Sequence, residues 1–325
     1  MFYAIRHFTR YRYSRPVWQS MMEVRMHPRS EANQRCFTFQ LSVNPRARIF
    51  SYTDYRANVI HHFDLPSPHR QLTIISDALV NVEPPKDLPE TMDFAAWEEL
   101  ERLIEKEDYW DTLAPSYFAR SSPEVESLTK ELGVAEREGR SPLALVQDIA
   151  VGIYRAFSYV KQSTHVNSPI EHALESRQGV CQDFAHIMIT LVRNVGIPCR
   201  YVSGYLYHDQ YHVDRSAEGA THAWVEVLLP GLGWVGFDPT NNILAGERHI
   251  RTAIGRDYAD VPPTLGTMKG KTDTELQVRV RVTPSKAVLP PDEEFAADEE
   301  WSQFLEEDRQ SQLLYAEQQQ QQQQQ

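Results

Sequence analysis

Three widely spaced residues, Cys181, His222 and Asp238, carry side chains that together can perform nucleophilic acyl transfer. Cys181 opens an apolar run, "GVCQDFAHIMITLVRNVGI", in which Phe184, Ala185, Ile187, Met188, Ile189, Leu191, Val192 and Val195 would cover most of a helix's circumference. The spacing predicts a helix packed on nearly all sides, ending at Gly196, Ile197 and Pro198. A thiol in the first turn of such a helix meets unpaired backbone N–H groups and the positive end of the macrodipole. Both favour a thiolate, and the same N–H groups can hold an oxyanion. The plainer alternative makes Cys181 a small buried hydrophobe. Asp183, in the same turn, reads as an acid favoured by the dipole.

A nucleophilic thiol needs a base, and "THAWVEV" offers His222 on a strand whose Trp224 and Glu226 face the same way. The large apolar Trp224 implies that this face is covered. After the "PGLG" turn, "GWVGFDP" returns as the partner strand. Pairing Leu228 with Trp234 sets Trp224 opposite Asp238 and leaves His222 on the diagonal, where Cβ atoms of one face lie within about 8 Å. Asp238 would then orient His222 and stabilise its imidazolium, while His222 takes the proton of Cys181. Pro239 ends the strand just past the acid.

The segments "GVCQDFAHIMITLVRNVGIPCRYVSGYL" and "HAWVEVLLPGLGWVGFDPTN" resemble the transglutaminase-like core of the papain-like cysteine-enzyme superfamily, whose three motifs centre on Cys, His and Asp in this order. "YAIRHFTRYRYSRPVWQSMMEVRMHPR" is similar to the N-terminal region of that family's bacterial branch. The resemblance covers roughly residues 1 to 85 and 140 to 245. It implies Cys181 as nucleophile, His222 as base and Asp238 as orienter, the same roles that the strand argument reaches. It also implies a peptide or protein amide as substrate, with water or an amine accepting the acyl group. Transamidation, deamidation and hydrolysis of a peptide or other amide all stay open, as does a non-catalytic binding module that keeps the fold. Cys199 departs from the small Ala or Ser usual in bacterial relatives and reads as strand packing. Tyr159, His165 and Asn167 are unresolved candidates for the rest of an oxyanion hole. The mechanism requires no cofactor and no metal, and no carboxylate-rich loop has calcium-binding form.

The elements that must position these groups follow from pattern. Runs rich in aromatic and β-branched residues between positions 2 and 83 predict a β-rich, sandwich-like N-terminal domain over 1–85. "VEPPKDLPE" marks a boundary, and "AAWEELERLIEKEDYW" and "SPEVESLTKELGV" predict a helical connecting segment over 86–140. Ser141 and Pro142 supply an N-cap and first-turn proline for a helix through about Phe157, and "NSPIEHALES" a shorter one. "CRYVSGYLY", "THAWVEVLL", "GWVGFD" and "TELQVRVRV" alternate like half-buried strands, so 141–285 is expected to be an α+β core with helices packed on an antiparallel sheet. The acidic, glutamine-ended stretch 286–325 reads as a disordered tail.

A hydrophobic share of 41% with 24% charged residues is the balance of a globular chain. The net charge of -12 argues against a nucleic-acid partner. No window approaches a membrane span and no secretory signal is evident, so the expectation is a cytoplasmic protein without a membrane partner. Cys36, Cys181 and Cys199 are too scattered for a disulfide framework or a zinc knuckle. "GLGWVG" at 231–236 satisfies a dinucleotide-loop pattern but joins two strands, and reads as a hairpin turn. His208 and His212 have helical metal-ligand spacing within a polar loop that offers no third ligand. His7, His61, His62, His165, His172, His186 and His249 read as surface or hydrogen-bonded core residues. Arg6, Arg10, Arg12 and Arg15 are partly spaced by two, as on one solvent face of a strand.

Overall fold

The computed structural model describes residues 1–137 and 139–288, together with Glu306, Gln310 and Leu313. The segment expected to be a disordered tail therefore lies almost wholly outside the described residues. Five strands open the chain: β1 (Phe2–Val24), β2 (Gln34–Asn44), β3 (Phe50–Thr53), β4 (Val59–Leu65) and β5 (His69–Val82). The first half of β1 pairs with β5, and its second half turns away to pair with β4. The ladder shifts register between Arg12 and Val17. Pro16, which lacks an N–H to donate, falls in that interruption. The turn folds the sheet onto itself, so that Met22 and Val24 of β1 share a buried cluster with Phe63 and Leu65 of β4 and Leu72 and Ile74 of β5. Each such side chain removed from water stabilises the fold by about 1.5–3 kcal/mol. The N-terminal region is thus the expected strand-rich, sandwich-like layer.

The helices α1 (Ala96–Lys106), α2 (Trp110–Leu113), α3 (Pro123–Leu132) and α4 (Pro142–Ala156) follow. Ser122 and Ser141 cap α3 and α4 by accepting from Val125 and Ala144 N–H, with proline at the first helical position in both. Next come β6 (Ser158–Tyr159), α5 (Ile170–Ser176), β7 (Gln178–Gly179) and α6 (Cys181–Asn194). Every residue of α6 from Gln182 to Arg193 is buried, because the helix lies between other helices and the core sheet. That sheet is built from β8 (Cys199–Leu206), β9 (His222–Leu229), β10 (Gly233–Asp238), β11 (Ile243–Leu244) and β12 (His249–Gly255), in the antiparallel order β11-β10-β9-β8-β12.

Two further strands, β13 (Thr264–Lys269) and β14 (Thr274–Pro284), depart from expectation. "TELQVRVRV" joins the N-terminal sheet, not the core sheet: β14 pairs with β1 from Tyr3↔Pro284 to Tyr13↔Thr274. Alternation states which side chains share a face and leaves the partner open. The outer positions of the core sheet are already held by β11 and β12, while β1 has an open edge. The same pairing corrects the arginine reading. Arg10 is fully buried, its guanidinium donating to Gln277 on β14, and Arg6 pairs with Asp77 on β5 at 2.6 Å. A strand flanked on both sides lays its long side chains over its neighbours.

The two layers are joined at β12. The Gln34 side chain donates to the Arg251 carbonyl and accepts from its N–H, both at 2.8 Å, and Asn58 binds the Ile254 backbone in the same two-way fashion. Tyr3, Ile5 and Val80 share a buried cluster with Tyr205 and Ile250 of the core. Among the described residues no helix is long and apolar enough to cross a membrane.

Candidate active site

Cys181 is the first residue of α6 and is half-buried, whereas the helix behind it is enclosed. Asp183 fixes this turn: its Oδ2 accepts from the Val180 N–H at 2.8 Å and from the Thr164 hydroxyl at 2.6 Å. Burial pushes the Asp183 carboxyl up in spite of these bonds. The residue read as a dipole-favoured acid is therefore also a clamp on the turn that carries the thiol. The short parallel pair β6–β7 sets Tyr159 beside Gly179, just ahead of that turn.

His222 begins β9 and Asp238 ends β10. The hairpin adopts the expected register, Trp234↔Leu228 through Phe237↔Val225, which continued by one residue sets Asp238 opposite Trp224. His222 Nε2 lies 2.7 Å from Asp238 Oδ2, and both side chains are buried. Trp224, fully buried, stacks along His222 with ring centroids 6.2 Å apart and 25° between planes. Gly204 lies directly across the ladder from His222. A Cβ there would come within 2.1 Å of the Ile250 carbonyl and 2.8 Å of the Trp224 ring, so only glycine lets the three layers of backbone and ring close up.

With Nε2 on Asp238, the other ring nitrogen is left for the thiol. His222 Nδ1 is buried and has no hydrogen-bond partner among the described residues, and Cys181 is near enough to raise the basicity of the imidazole. Such contacts are often long in a ligand-free site and tighten with substrate bound. Burial alone would lower the basicity of His222. The Asp238 carboxylate, by charge and hydrogen bond, and then Cys181 overcome this and push its pKa up to about 10.

A sign follows for stability. The ordinary histidine pKa is about 6.5. The raised folded-state value contributes stability that is fully present below about pH 6.5 and is lost as pH rises through about 10. The urea midpoint of the wild type is expected to fall between about pH 7 and 10, and His222→Gln is expected to lose that component of the slope. Equal slopes in the two proteins would contradict the assignment of charge to His222.

Asp238 is held by more than His222. Its Oδ2 also accepts from Asn241 Nδ2 at 2.7 Å and from His249 Nε2 at 3.2 Å, and its Oδ1 accepts from the N–H groups of Thr240 and Asn241 at 2.9 and 3.2 Å. Burial would raise the pKa of this carboxyl; His222 and His249 hold it far below the usual carboxylate range. Asn241 further accepts from the N–H groups of Arg215 and Ser216, tying the 209–220 loop to the acid. Sequence reasoning read His249 as one more core or surface histidine and did not single out Asn241. The "DPTNN" run just past the acid was the available signal for Asn241; none pointed to His249, because β12 was not legible.

Ligand atoms of His222, Asp238 and His249 lie within 4.8 Å of one another, close enough to suggest a metal centre. The protons argue for a different arrangement. His249 Nδ1 accepts from the Gly246 N–H at 3.2 Å, so its Nε2 carries a hydrogen and donates it to Asp238. A histidine ligand must present a lone pair to the ion. The cluster as it stands is a hydrogen-bond network.

The other singled-out residues lie elsewhere. Cys199 is buried at the start of β8, its thiol toward the Ile189 carbonyl, and burial pushes its pKa up to about 11; Cys36 is shifted likewise by burial. His212 bonds Asp209 and His208 lies beside Asp214, so each is bound within its own loop. Residues 231 and 232 lie in the β9–β10 turn and 233–236 open β10, with positive φ at Gly231 and Gly233. Tyr159 is the oxyanion candidate near the thiol, since Cys181 acts on its hydroxyl after burial does; that hydroxyl accepts from the Ala217 N–H at 3.2 Å. His165 and Asn167 are exposed in the loop before α5.

Residues 130–239 match the sequence model of the transglutaminase-like superfamily, and residues 3–81 match that of the bacterial transglutaminase-like N-terminal region. An uncharacterised protein of Mycobacterium leprae is 33% identical over 278 residues, which span 85% of this chain and 96% of that protein. The protein-glutamine gamma-glutamyltransferase of Pseudomonas aeruginosa is 28% identical over 154 residues, 43% of this chain and 22% of that protein. A solved structure from Cytophaga hutchinsonii, assigned in name as a cysteine protease, is similar with a TM-score of 0.67 and 21% identity, covering 88% of this chain and 92% of that one. That last likeness is one of fold.

Proposed function

The chain belongs to the transglutaminase-like superfamily, and from that membership we propose that it is a cysteine-dependent enzyme that transfers the acyl group of an amide through a thioester on Cys181. The observation that carries the reading is the histidine between two partners: one nitrogen of His222 on a buried carboxylate, the other left facing a thiol at a helix N-terminus.

The Cys181 thiolate attacks the amide carbonyl, and the new C–S bond leaves negative charge on the carbonyl oxygen. Free N–H groups of the first turn of α6, including that of Cys181, stabilise this oxyanion. The His222 imidazolium protonates the nitrogen as the C–N bond breaks, and an amine or ammonia departs. Proton transfer of this kind contributes about 10²–10⁴-fold. His222, now neutral, next takes a proton from water or from a second amine as it attacks the thioester; the C–S bond breaks, releasing acid or new amide and restoring the thiolate beside the imidazolium. Asp238 keeps Nε2 protonated and the ring turned toward the sulfur throughout.

The substrate we propose is a peptide or protein amide. The name of the Pseudomonas relative favours a glutamine side chain with an amine acceptor; the name of the Cytophaga neighbour favours peptide hydrolysis. One experiment separates these. Wild type and Cys181→Ala are incubated with a glutaminyl peptide, with and without a primary amine, and products are read by mass. An amine adduct reports transamidation, the small mass gain of acid formation reports deamidation, and backbone fragments report a protease. Identical product profiles in the two proteins would remove every form of the mechanism.

A further inference from the structure

Asp238 serves two histidines. His222 Nε2 lies 2.7 Å from its Oδ2, and His249 Nε2 lies 3.2 Å from the same atom. The mechanism above uses the first and gives the second no task. His249 stands on β12, which β8 separates from β9 in the core sheet, so two strand spacings of about 4.8 Å lie between the two backbones. The strand between them carries no side chain at this level: Gly204 pairs with His222 on one side and with Arg251 on the other. The Trp224 ring takes the space that a side chain there would need. It packs against both imidazoles, with ring centroids 6.2 Å from His222 and 5.1 Å from His249, and the two imidazoles are 6.0 Å apart.

His249 is locked as a donor. Its Nδ1 accepts from the Gly246 N–H at 3.2 Å, while its own backbone N–H donates to the Gly246 carbonyl at 3.1 Å. The ring hydrogen therefore sits on Nε2, toward Asp238. Burial outweighs the pull of Asp238 and lowers the His249 pKa, which keeps the ring neutral at pH 7. The same carboxylate thus meets a charge from His222 and a dipole from His249. The other titratable groups that act around the pair are Cys181 on α6, Arg248 just ahead of β12 and His208 in the loop after β8. Arg248 and His208 both lie against Asp214, at 2.8 and 3.3 Å.

A carboxylate oxygen that already accepts from a neutral donor has less charge to offer a cation beside it. We propose that His249 is a positioning residue of the acyl-transfer site, a neutral donor that fixes the shared oxygen of Asp238 and limits the hold of that oxygen on the His222 proton. This rests on the reading of His222 as the acid and base of the reaction. His222 must surrender its proton to the departing nitrogen, and an imidazolium held less tightly is the better acid.

The test is nitrogen NMR of the full chain with ¹⁵N in its histidine rings, His222 and His249 being assigned through His222→Gln and His249→Gln. In the wild type, His249 is expected as the neutral Nε2–H form at neutral pH. His249→Phe keeps a ring against Trp224 and removes the donor. His222 is then expected to hold its proton to a pH higher by about one, a tenfold change in proton affinity, and amide turnover to fall by about three- to tenfold. His249→Gln returns an N–H near the place of Nε2 and is expected to restore both values. A purely structural role predicts the opposite sign, since a loosened Asp238 holds the imidazolium less well and His222 then titrates at lower pH. Should His249→Phe fail to fold, His249→Asn, whose amide reaches only to the place of Nδ1, carries the same prediction. A His222 titration that is unchanged or moves down in the folded variant, or a charged or Nδ1–H His249 at neutral pH, would overturn the proposal. Failure of the thioester mechanism would show in the product assay instead, because the titration of His222 is read without substrate.

Discussion

Asp238→Asn is expected to lower amide turnover by about 10³- to 10⁴-fold, the order seen when a triad loses its orienting carboxylate. The reason is the proton count around the acid. Oδ2 accepts from His222, His249 and Asn241, and Oδ1 from two backbone N–H groups. Every neighbour is a donor. An amide in this place must set its NH₂ against one group of donors or the other, and it carries no charge to hold the imidazolium of His222. Initial rates per folded protein, with folding checked by near-ultraviolet circular dichroism, measure the effect. A loss of less than tenfold in a folded variant would mean that Asp238 supports the fold without orienting the base.

Glu226→Ala is expected to cost about 3–5 kcal/mol of stability, the range for removing one partner of a buried ion pair. Glu226 is fully buried on β9, with Arg200 Nε and Nη2 at 2.8 and 2.7 Å and Arg251 bonded to its other oxygen. Arg200 also lies over the Trp234 ring at 4.3 Å, and Arg251 reaches Asn33 of the N-terminal layer at 3.0 Å. Removing the carboxylate leaves two guanidinium groups, from the neighbouring strands β8 and β12, without the charge on β9 that holds them. Urea unfolding measures the loss. A change below about 1 kcal/mol would show that solvent reaches the pair, as it does in surface ion pairs.

The proposed trio of Cys181, His222 and Asp238 was legible because each member is placed by local chemistry. Cys181 is located by where an apolar helix starts, and His222 and Asp238 are brought together by one hairpin whose short turn fixes the register. Helix limits were readable for the same reason: Ser141 and Pro142 start α4, and Gly196, at φ 80°, follows the end of α6. Features set by distant chain were not. The partner of β14, the burial of Arg10 beneath Gln277 and the approach of His249 to Asp238 each depend on which edge or face a remote strand meets. Neither period nor capping encodes that choice. Asp183 shows an intermediate case: its place in the first turn was evident, while its bond to Thr164 required the fold.

The central claim is that His222 and Cys181 act as a unit. The rate at which a small thiol alkylating reagent modifies each cysteine, followed by peptide mass from about pH 5 to 9, tests it most directly. The account predicts that near pH 5.5 Cys181 reacts at least about tenfold faster than free cysteine, that Cys36 and Cys199 stay slow because burial raises their pKa, and that His222→Gln abolishes the advantage. A Cys181 that reacts no faster than free cysteine at mildly acidic pH, or equally fast in His222→Gln, would contradict it.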